Sequence, residues 1–186
     1  ALDKALKKNP EIIYLNVVAD TWSAHPFVVS NVATTNVAFD KKTAMAINPH
    51  NKKIKLDLMG WFVRNQFEEK FNKKEVRKKL SLNTEEPIFL FTSGSEGTEK
   101  ILPIIKYIYK ENLPVQILVA CGKNEELFEK VEQIKNSKKS NILIKPLNFT
   151  KELHIYMQAS DLIIGKAGPN SVFEAVATKT PFFATT

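Results

Sequence analysis

A turn of small residues follows the apolar strand predicted at Leu162–Ile164 and opens a helix in which Pro169 fits a first position. Asn170 and Ser171 can satisfy free backbone amides at that helix start. Such a turn directs several N–H groups and the helix dipole at one point, which suits a phosphate. Glu174, further along the helix, could accept hydrogen bonds from two ribose hydroxyls. The pattern predicts a nucleotide site; the alternative is an ordinary strand–loop–helix that binds nothing.

The elements that would position this turn alternate regularly from Pro87 onward. Nearly continuous apolar strands separated by helices predict a parallel sheet covered on both faces. Strands are predicted at residues 88–92, 115–121, 141–145, 162–164 and 181–184, and helices at residues 98–110, 125–138, 151–158 and after Pro169.

Right-handed crossovers bring the strand-to-helix loops of such a sheet to one edge, where open α/β sheets bind ligands. Residues 94–97, 122–124, Phe149 and residues 165–171 are therefore expected to face one crevice despite their separation in sequence.

The first part of the chain is less regular. Strands are predicted at residues 12–19, 32–37 and 54–59, with a short helix at residues 41–47 and a basic helix at residues 73–80. We interpret this as the end of another α/β domain (residues 1–64), an interdomain connection (residues 65–80) and a second domain (residues 81–186). Both ends look cut, so we expect a fragment of a longer protein.

Composition excludes several classes of protein. The chain of 186 residues is 44% hydrophobic with 12 Phe, so it can bury a core, but its apolar runs fall short of the ~20 residues of a membrane span. No signal peptide is visible. Cys121 is the one cysteine, which offers no disulfide and no metal set, so a reducing compartment is the default. No Asp-x-Asp motif is present, and we expect no metal site.

The net charge of +7 is unevenly distributed. Residues 1–80 carry 15 Lys and Arg against 8 Asp and Glu, whereas residues 81–186 carry 12 of each. The excess predicts that the first part meets an anionic surface or substrate. The alternative is a solvated, Lys-rich surface.

Several segments, taken together and in order, resemble one family. They are Asp20-Thr-Trp-Ser-Ala-His-Pro-Phe27, Thr92-Ser-Gly-Ser-Glu-Gly97, Leu118-Val-Ala-Cys-Gly-Lys-Asn124, Pro146-Leu-Asn-Phe-Thr150 and Gly165-Lys-Ala-Gly-Pro-Asn-Ser-Val-Phe-Glu-Ala175. About residues 14–186 resemble the diacylglycerol glycosyltransferases (monogalactosyldiacylglycerol synthase-like), which are related to the peptidoglycan N-acetylglucosaminyltransferase. Singly, only the Lys-Ala-Gly-Pro segment is specific.

The resemblance implies a GT-B fold of two Rossmann-like domains, the N-terminal one incomplete here. It implies a UDP-sugar in the C-terminal domain and a lipid acceptor met by the N-terminal domain at the membrane surface. In the implied donor site, the diphosphate lies at Gly168, Pro169, Asn170 and Ser171, and Glu174 holds the ribose. Backbone atoms of Phe149 contact the uracil edge. The sugar-phosphate lies near Gly94, Ser95 and Gly97, and the same crevice is lined by Gly122, Lys123 and Asn124. A diphosphate leaving group also needs a cation, and Lys123 and Lys166 lie near these loops.

The chain departs from the family pattern at four positions where members often carry Gly, namely Ser95, Glu99, Asn148 and Lys179. The family's first glycine-rich loop, which carries a histidine, is absent.

Asp20 and His25 flank a turn at a strand end, where a general base could deprotonate the acceptor hydroxyl. The alternative is that Asp20 caps a loop and His25 is structural.

The leading hypothesis is a glycosyltransferase that moves a hexose from a UDP-sugar to a membrane lipid such as diacylglycerol. It would need no cofactor, and it would be cytoplasmic and peripheral on the inner face of the membrane, with its basic part on anionic headgroups. The alternatives are a UDP-N-acetylglucosamine epimerase-type isomerase and a non-catalytic nucleotide- or nucleic-acid-binding module. The neutral charge of residues 81–186 argues against nucleic acid.

Overall fold

The computed structural model describes residues 2–19, 25, 28–47, 54–94, 97–137 and 140–185. The chain divides into two compact units, Ala1–Phe62 and Val63–Thr186. Each unit contains a parallel sheet with helices following its strands, so the predicted α/β class is confirmed.

The first unit is built on a three-stranded parallel sheet in the order β1-β2-β3. Its small core consists of Val18, Ala38 and Ile47, with partly buried aliphatic residues around them. The strands at both edges are shorter than the predicted ranges. The elements are α1 (Leu2–Lys8), β1 (Leu15–Val18), β2 (Thr35–Ala38), α2 (Lys41–Ile47) and β3 (Leu56–Leu58).

The second unit is built on a five-stranded parallel sheet in the order β6-β5-β4-β7-β8. Its elements are α3 (Lys73–Lys79), β4 (Ile88–Thr92), α4 (Leu102–Lys110), β5 (Gln116–Gly122), α5 (Glu125–Asn136), β6 (Ile144–Asn148), α6 (Leu153–Ala159), β7 (Leu162–Lys166), α7 (Pro169–Ala177) and β8 (Phe182–Thr185). Both faces of the sheet are covered. Residues of α4 and α5 pack in one core cluster, and residues of α3, α6 and α7 pack in the other.

The strand order fixes where a ligand can enter. From β4 the chain moves outward to β5 and β6, and it then returns to the other side of β4 with β7 and β8. The direction of winding therefore reverses between β4 and β7, and such a switch point leaves a crevice at the carboxyl ends of the strands. The predicted nucleotide turn follows β7 and lies at this position.

Strand β6 corrects one sequence-based expectation. The predicted strand ended at Lys145, before Pro146, whereas the observed strand is Ile144–Asn148 and includes the proline. Pro146 cannot donate to a ladder. Among the described residues β6 is an edge strand whose one partner is β5, so the missing N–H breaks no second ladder.

The residues predicted to connect two domains lie within the second unit. A 3-10 turn at Asn65–Phe67 is followed by α3, whose N-cap Asn72 accepts hydrogen bonds from the amides of Lys74 and Glu75. Phe67 and Val76 belong to the core cluster beneath. Because α3 is itself basic, the positive excess of residues 1–80 spans both units.

Across the described ranges, no helix combines the length and the apolar character needed to cross a bilayer.

Candidate functional site

The loops after β4, β5 and β6 and the first turns of α7 enclose a crevice of about 370 Å³ at the carboxyl edge of the second sheet. Six of the predicted site residues line it together. Its lining comprises Arg64, Thr92, Ser93, Gly94, Ala120, Gly122, Asn148, Phe149, Thr150, Lys151, Leu153, Met157, Asn170, Ser171 and Glu174.

A larger groove of about 770 Å³ lies between α4 and α5, where Lys106, Lys110 and Lys130 contribute to its walls. It shares no lining residue with the crevice and includes no strand end. We assign the candidate site to the smaller crevice, because the carboxyl ends of three strands converge there.

The first turn of α7 presents free donors to the crevice. Gly168 is the N-cap and Pro169 is at N1. The backbone N–H groups of Asn170 and Ser171 have no hydrogen-bond acceptor within the ranges that the structure describes, nor do their side chains cap the helix there as the sequence suggested. Free amides at a helix start form a preorganised anion site.

The loop after β4 forms the opposite wall. The Ser93 hydroxyl donates to the Ala120 carbonyl at 2.8 Å and so ties this loop to β5. Gly94 has φ +75°, which favours glycine, and a Cβ at this position would point into open space. Gly165 lets β7 lie against β4, because a Cβ there would collide with the carbonyl and hydroxyl oxygens of Thr92.

Glu174 is the carboxylate of the crevice, with its side chain 14% exposed. Arg64 donates from Nη2 to Glu174 Oε1 at 3.0 Å, and its guanidinium lies 4.8 Å from the centre of the Phe67 ring. Burial raises the pKa of Glu174 above its ordinary value, although the Arg64 hydrogen bond and charge oppose that change. The crevice therefore holds a buried acceptor for which the described part of the chain supplies one polar partner, Arg64.

Arg64 is the site residue that sequence reasoning missed, since it was assigned to the end of the first domain. A signal was available, because the chain has 25 Lys but only two Arg. In a chain that otherwise uses Lys for positive charge, an Arg indicates a position where the planar guanidinium is needed to bind a carboxylate or phosphate.

Several predicted site residues lie beside the crevice rather than in its lining. The Asn124 side chain caps α5 by accepting from the Leu127 amide at 2.8 Å. A Cβ at Gly97 would lie 2.7 Å from the Cys121 carbonyl oxygen, so this glycine permits close packing. Lys166 is exposed at the end of β7.

Phe149 separates the crevice from a neighbouring shallow pocket and contributes to both. Phe149 is 57% exposed, and the Lys123 ammonium lies 5.9 Å from the centre of its ring. Lys123 lines the neighbouring pocket and not the crevice. An exposed ring at this edge offers a flat apolar surface to a planar ligand.

Two of the predicted residues lie outside the described ranges, namely Asp20 and Ser95. His25 is described and exposed, and its carbonyl accepts from the Val28 amide at 2.9 Å. The backbone of Ser30, which follows His25, is held by Asn36. The Asn36 side-chain amide accepts from the Ser30 N–H and donates to the Ser30 carbonyl, each at 2.9 Å. The general-base hypothesis for Asp20 and His25 stays a prediction.

Within the described residues, the His, Cys, Asp and Glu side chains form no group of three that could hold a metal ion.

Comparison with known proteins gives consistent matches. The model of the "Glycosyltransferase family 28 C-terminal domain" matches residues 88–183. A probable monogalactosyldiacylglycerol synthase from Nicotiana tabacum is 29% identical over 180 residues, covering 92% of this chain and 33% of the relative. A processive diacylglycerol beta-glucosyltransferase from Bacillus pumilus is 26% identical over 168 residues, covering 89% of this chain and 43% of the relative. The chain thus spans less than half the length of these curated relatives.

Two solved structures share the fold at low identity. Anabaena HepE, solved in complex with UDP-glucose, has a TM-score of 0.55 and 14% identity, covering 91% of this chain and 52% of the other. WaaG, a glycosyltransferase involved in lipopolysaccharide biosynthesis, has a TM-score of 0.61 and 12% identity, covering 97% of this chain and 61% of the other. The GT-B fold expected from the sequence is confirmed.

Proposed function

The chain belongs to the glycosyltransferase family 28 C-terminal domain family, and we propose that its crevice binds a UDP-sugar from which a hexose passes to a membrane lipid such as diacylglycerol. One observation carries the proposal. Free amides at the start of α7 and the carboxylate of Glu174 line the same crevice at the switch point of the sheet. Their order along one helix suits a diphosphate at the helix start and a ribose further along it.

The donor's polar groups find partners of the right kind in the crevice. The amides of Asn170 and Ser171, reinforced by the dipole of α7, accommodate the diphosphate. Glu174 accepts hydrogen bonds from the ribose hydroxyls, and backbone atoms at Phe149 meet the uracil edge. The loop at Gly94 approaches the sugar.

Arg64 contributes in two ways to this proposal. Burial raises the pKa of Glu174, and the guanidinium opposes that change and so favours the carboxylate form, which can accept two hydroxyl donors. It is also the arginine that lines the crevice, and a planar guanidinium suits a phosphate oxygen as well as a carboxylate. The sequence predicted that Lys123 and Lys166 supply positive charge to the diphosphate, but both lie outside the crevice lining.

The reaction would be a displacement at the anomeric carbon. The acceptor hydroxyl oxygen forms a bond to that carbon, the bond from carbon to the diphosphate oxygen breaks, and UDP leaves with the bonding electrons. The hydroxyl proton passes to a general base, for which His25 and Asp20 are our candidates. Free amides and Arg64 stabilise the negative charge that develops on the diphosphate.

The lipid acceptor is supported by the names of the relatives, which describe transfer to diacylglycerol or synthesis of monogalactosyldiacylglycerol. We propose that the basic surface of residues 1–80 docks on anionic headgroups, with about 1 kcal/mol from each well-placed Lys or Arg. The lysines of α3, such as Lys74 and Lys78, belong to this surface. The location that corresponds to this proposal is the cytoplasm, with the protein bound peripherally to the inner face of the membrane.

A binding screen followed by a product assay tests the proposal. Calorimetry with UDP, UDP-glucose, UDP-galactose and UDP-N-acetylglucosamine should show binding, whereas ADP and GDP should bind at least tenfold more weakly. A longer protein containing this chain, incubated with UDP-sugar and diacylglycerol vesicles, should form glycolipid. An isomerised UDP-sugar formed without any acceptor would favour an epimerase, and the absence of UDP binding would remove the donor site.

A further inference from the structure

The segment that leads into α3 belongs to the second unit, and it contacts the loop before α6 and α6 itself just where Arg64 enters the crevice. We propose that Gln66 is a positioning residue, which anchors the turn Asn65–Phe67 so that Arg64 stays on Glu174 and the donor site is preorganised. The inference rests on the proposed UDP-sugar binding and adds a residue that does not line the crevice.

The turn is closed locally and then fastened to the crevice. The amides of Phe67 and Glu68 donate to the carbonyls of Arg64 and Asn65, each at 2.9 Å. Gln66 Nε2 then donates to the carbonyl of Lys151 at 3.0 Å. Lys151 itself lines the crevice, so this one bond joins the turn that carries Arg64 to the loop that would meet the base.

The ring beneath the guanidinium is held rigidly. Phe67 is fully buried, and its ring lies at 5.8 Å, edge to face, from the ring of His154 on α6. His154 is 8% exposed, and its Nδ1 has no hydrogen-bond partner within the described parts of the chain, so its visible role is packing. Arg64 therefore lies over a ring that is fully buried in the core.

The other end of the segment is clasped by a second glutamine. Gln158 accepts from the Phe71 amide at 3.1 Å and donates to the Glu69 carbonyl at 2.7 Å. The two glutamines fix the segment at both ends, and Gln66 is the one beside Arg64.

Such anchoring matters because the Arg64 side chain is 60% exposed and would otherwise sample many rotamers. A guanidinium held beside Glu174 favours the carboxylate form that ribose hydroxyls need. If the turn is loosened, Arg64 leaves the carboxylate for part of the time, and the nucleotide must bind a less favourable site.

The test is a double-mutant cycle on the 186-residue chain, read by calorimetric titration with UDP. Gln66→Ala should weaken UDP binding about fivefold, in line with the loss of one hydrogen bond. In an Arg64→Ala background the same change should have less than a twofold effect, because nothing is left to position. Equal effects in the two backgrounds, or no effect in either, would overturn the proposal.

The pH profile supplies a readout that a purely structural role would not move. Affinity for UDP-glucose should fall as the pH drops through the pKa of Glu174, because only the carboxylate accepts two hydroxyl donors. In Gln66→Ala the fall should begin at a higher pH, because Arg64 then opposes protonation less. An unshifted profile would contradict the positioning role.

Two further variants protect the interpretation. Gln66→Met keeps the side-chain length without the donor and should reproduce the loss in affinity if the alanine variant folds poorly. Gln133→Ala, on the outer surface at α5, removes an amide elsewhere and should leave UDP affinity unchanged. Wild-type chain that binds no UDP would refute the proposed function itself, whereas wild-type binding with a normal Gln66→Ala titration would refute only this inference.

Discussion

The two arginines of the chain lie at opposite edges of the second sheet, and each binds a carboxylate. At the amino edge Arg77 from α3 pairs with Asp161, just before β7. At the carboxyl edge Arg64 pairs with Glu174 on α7. The same two chemical groups meet in both pairs, but their surroundings differ, and the difference separates a structural contact from a candidate binding site.

The Arg77–Asp161 pair is fully satisfied. Arg77 is 5% exposed and also donates to the Ala159 and Thr84 carbonyls, each at 2.9 Å. Asp161 also accepts from Lys73 at 2.7 Å and from the Ile88 amide at 2.8 Å. Burial alone would raise the pKa of Asp161, but these hydrogen bonds and the Lys73 charge lower it below its ordinary value. A carboxylate with this many donors fastens elements together.

The Arg64–Glu174 pair is incomplete. The carboxylate is more buried than that of Asp161, but among the described residues Arg64 is its one polar partner, and burial raises its pKa. An acid whose remaining acceptor capacity faces a crevice has room for donors from a ligand. The contrast predicts that changes at the amino edge affect stability and changes at the carboxyl edge affect nucleotide binding.

The largest effect should come from Arg77→Met, which removes one of the donors to Asp161 and the donors to the Ala159 and Thr84 carbonyls. We expect the free energy of unfolding to fall by about 2–3 kcal/mol, measured by urea denaturation. UDP affinity at a temperature where the variant is folded should stay within twofold. Lys73→Met is the matched control and should cost less than 1 kcal/mol, because that partner is more exposed. A larger loss of UDP binding than of stability would break the comparison.

At the other edge, Glu174→Ala should weaken UDP binding by about 10- to 50-fold, because two charge-assisted hydrogen bonds to the ribose are lost. Its free energy of unfolding should change by less than 1 kcal/mol, because the loss of the Arg64 contact is offset by the removal of a carboxylate whose burial costs desolvation energy. Glu132→Ala, which breaks the Lys135 pair on α5, is the control and should leave UDP titrations unchanged. Unaltered affinity in Glu174→Ala would remove this residue from the site.

Acid titration should separate the two carboxylates by sign. The pKa of Asp161 is lowered in the folded state, so its contribution to stability is present above its ordinary value of 3.8 and is lost as pH falls through the folded pKa. The pKa of Glu174 is raised, so lowering the pH from that pKa toward 4.5 should increase stability. We would measure the urea midpoint against pH between pH 3 and 7 for the wild-type chain, Asp161→Asn and Glu174→Gln. Relative to the wild-type chain, the two variants should change the slope of this curve in opposite directions. Changes of the same sign in both variants would contradict the assignment.

The smallest effect concerns Lys179, a non-glycine residue in the left-handed backbone region that favours glycine. Lys179 has φ +56° at the end of α7, and the Thr180 amide donates to the Ala175 carbonyl at 2.9 Å, as in a helix C-cap. Lys179→Gly should raise the free energy of unfolding by about 0.5–1 kcal/mol. Thermal denaturation would show this, with UDP binding unaltered; a lower melting temperature would argue against a strained lysine.

Sequence reasoning predicted most of the second sheet, because continuous apolar strands and small-residue turns are local signals. Strand Ile88–Thr92 and the start of α7 at Pro169 agree with the structure. It failed where the outcome depends on neighbours distant in the chain. Pro146 is tolerated only because β6 is an edge strand, and strand order is not visible in a local pattern.

The same limit explains the site. Glu174, Asn170 and Ser171 share one helix, so their convergence could be predicted from spacing. Arg64 reaches Glu174 across 110 positions of sequence, through a turn packed on α6, and only tertiary structure brings them together.

Amide chemical shifts of the uniformly ¹⁵N-labelled chain, followed during a UDP titration, test the central claim most directly. We expect saturable shifts at Asn170 and Ser171, at Gly94 and around Phe149, and no comparable shifts around Asp161 or in the groove between α4 and α5. Shifts confined to that groove, or an unchanged spectrum at millimolar UDP, would contradict a donor site at the carboxyl edge of the second sheet.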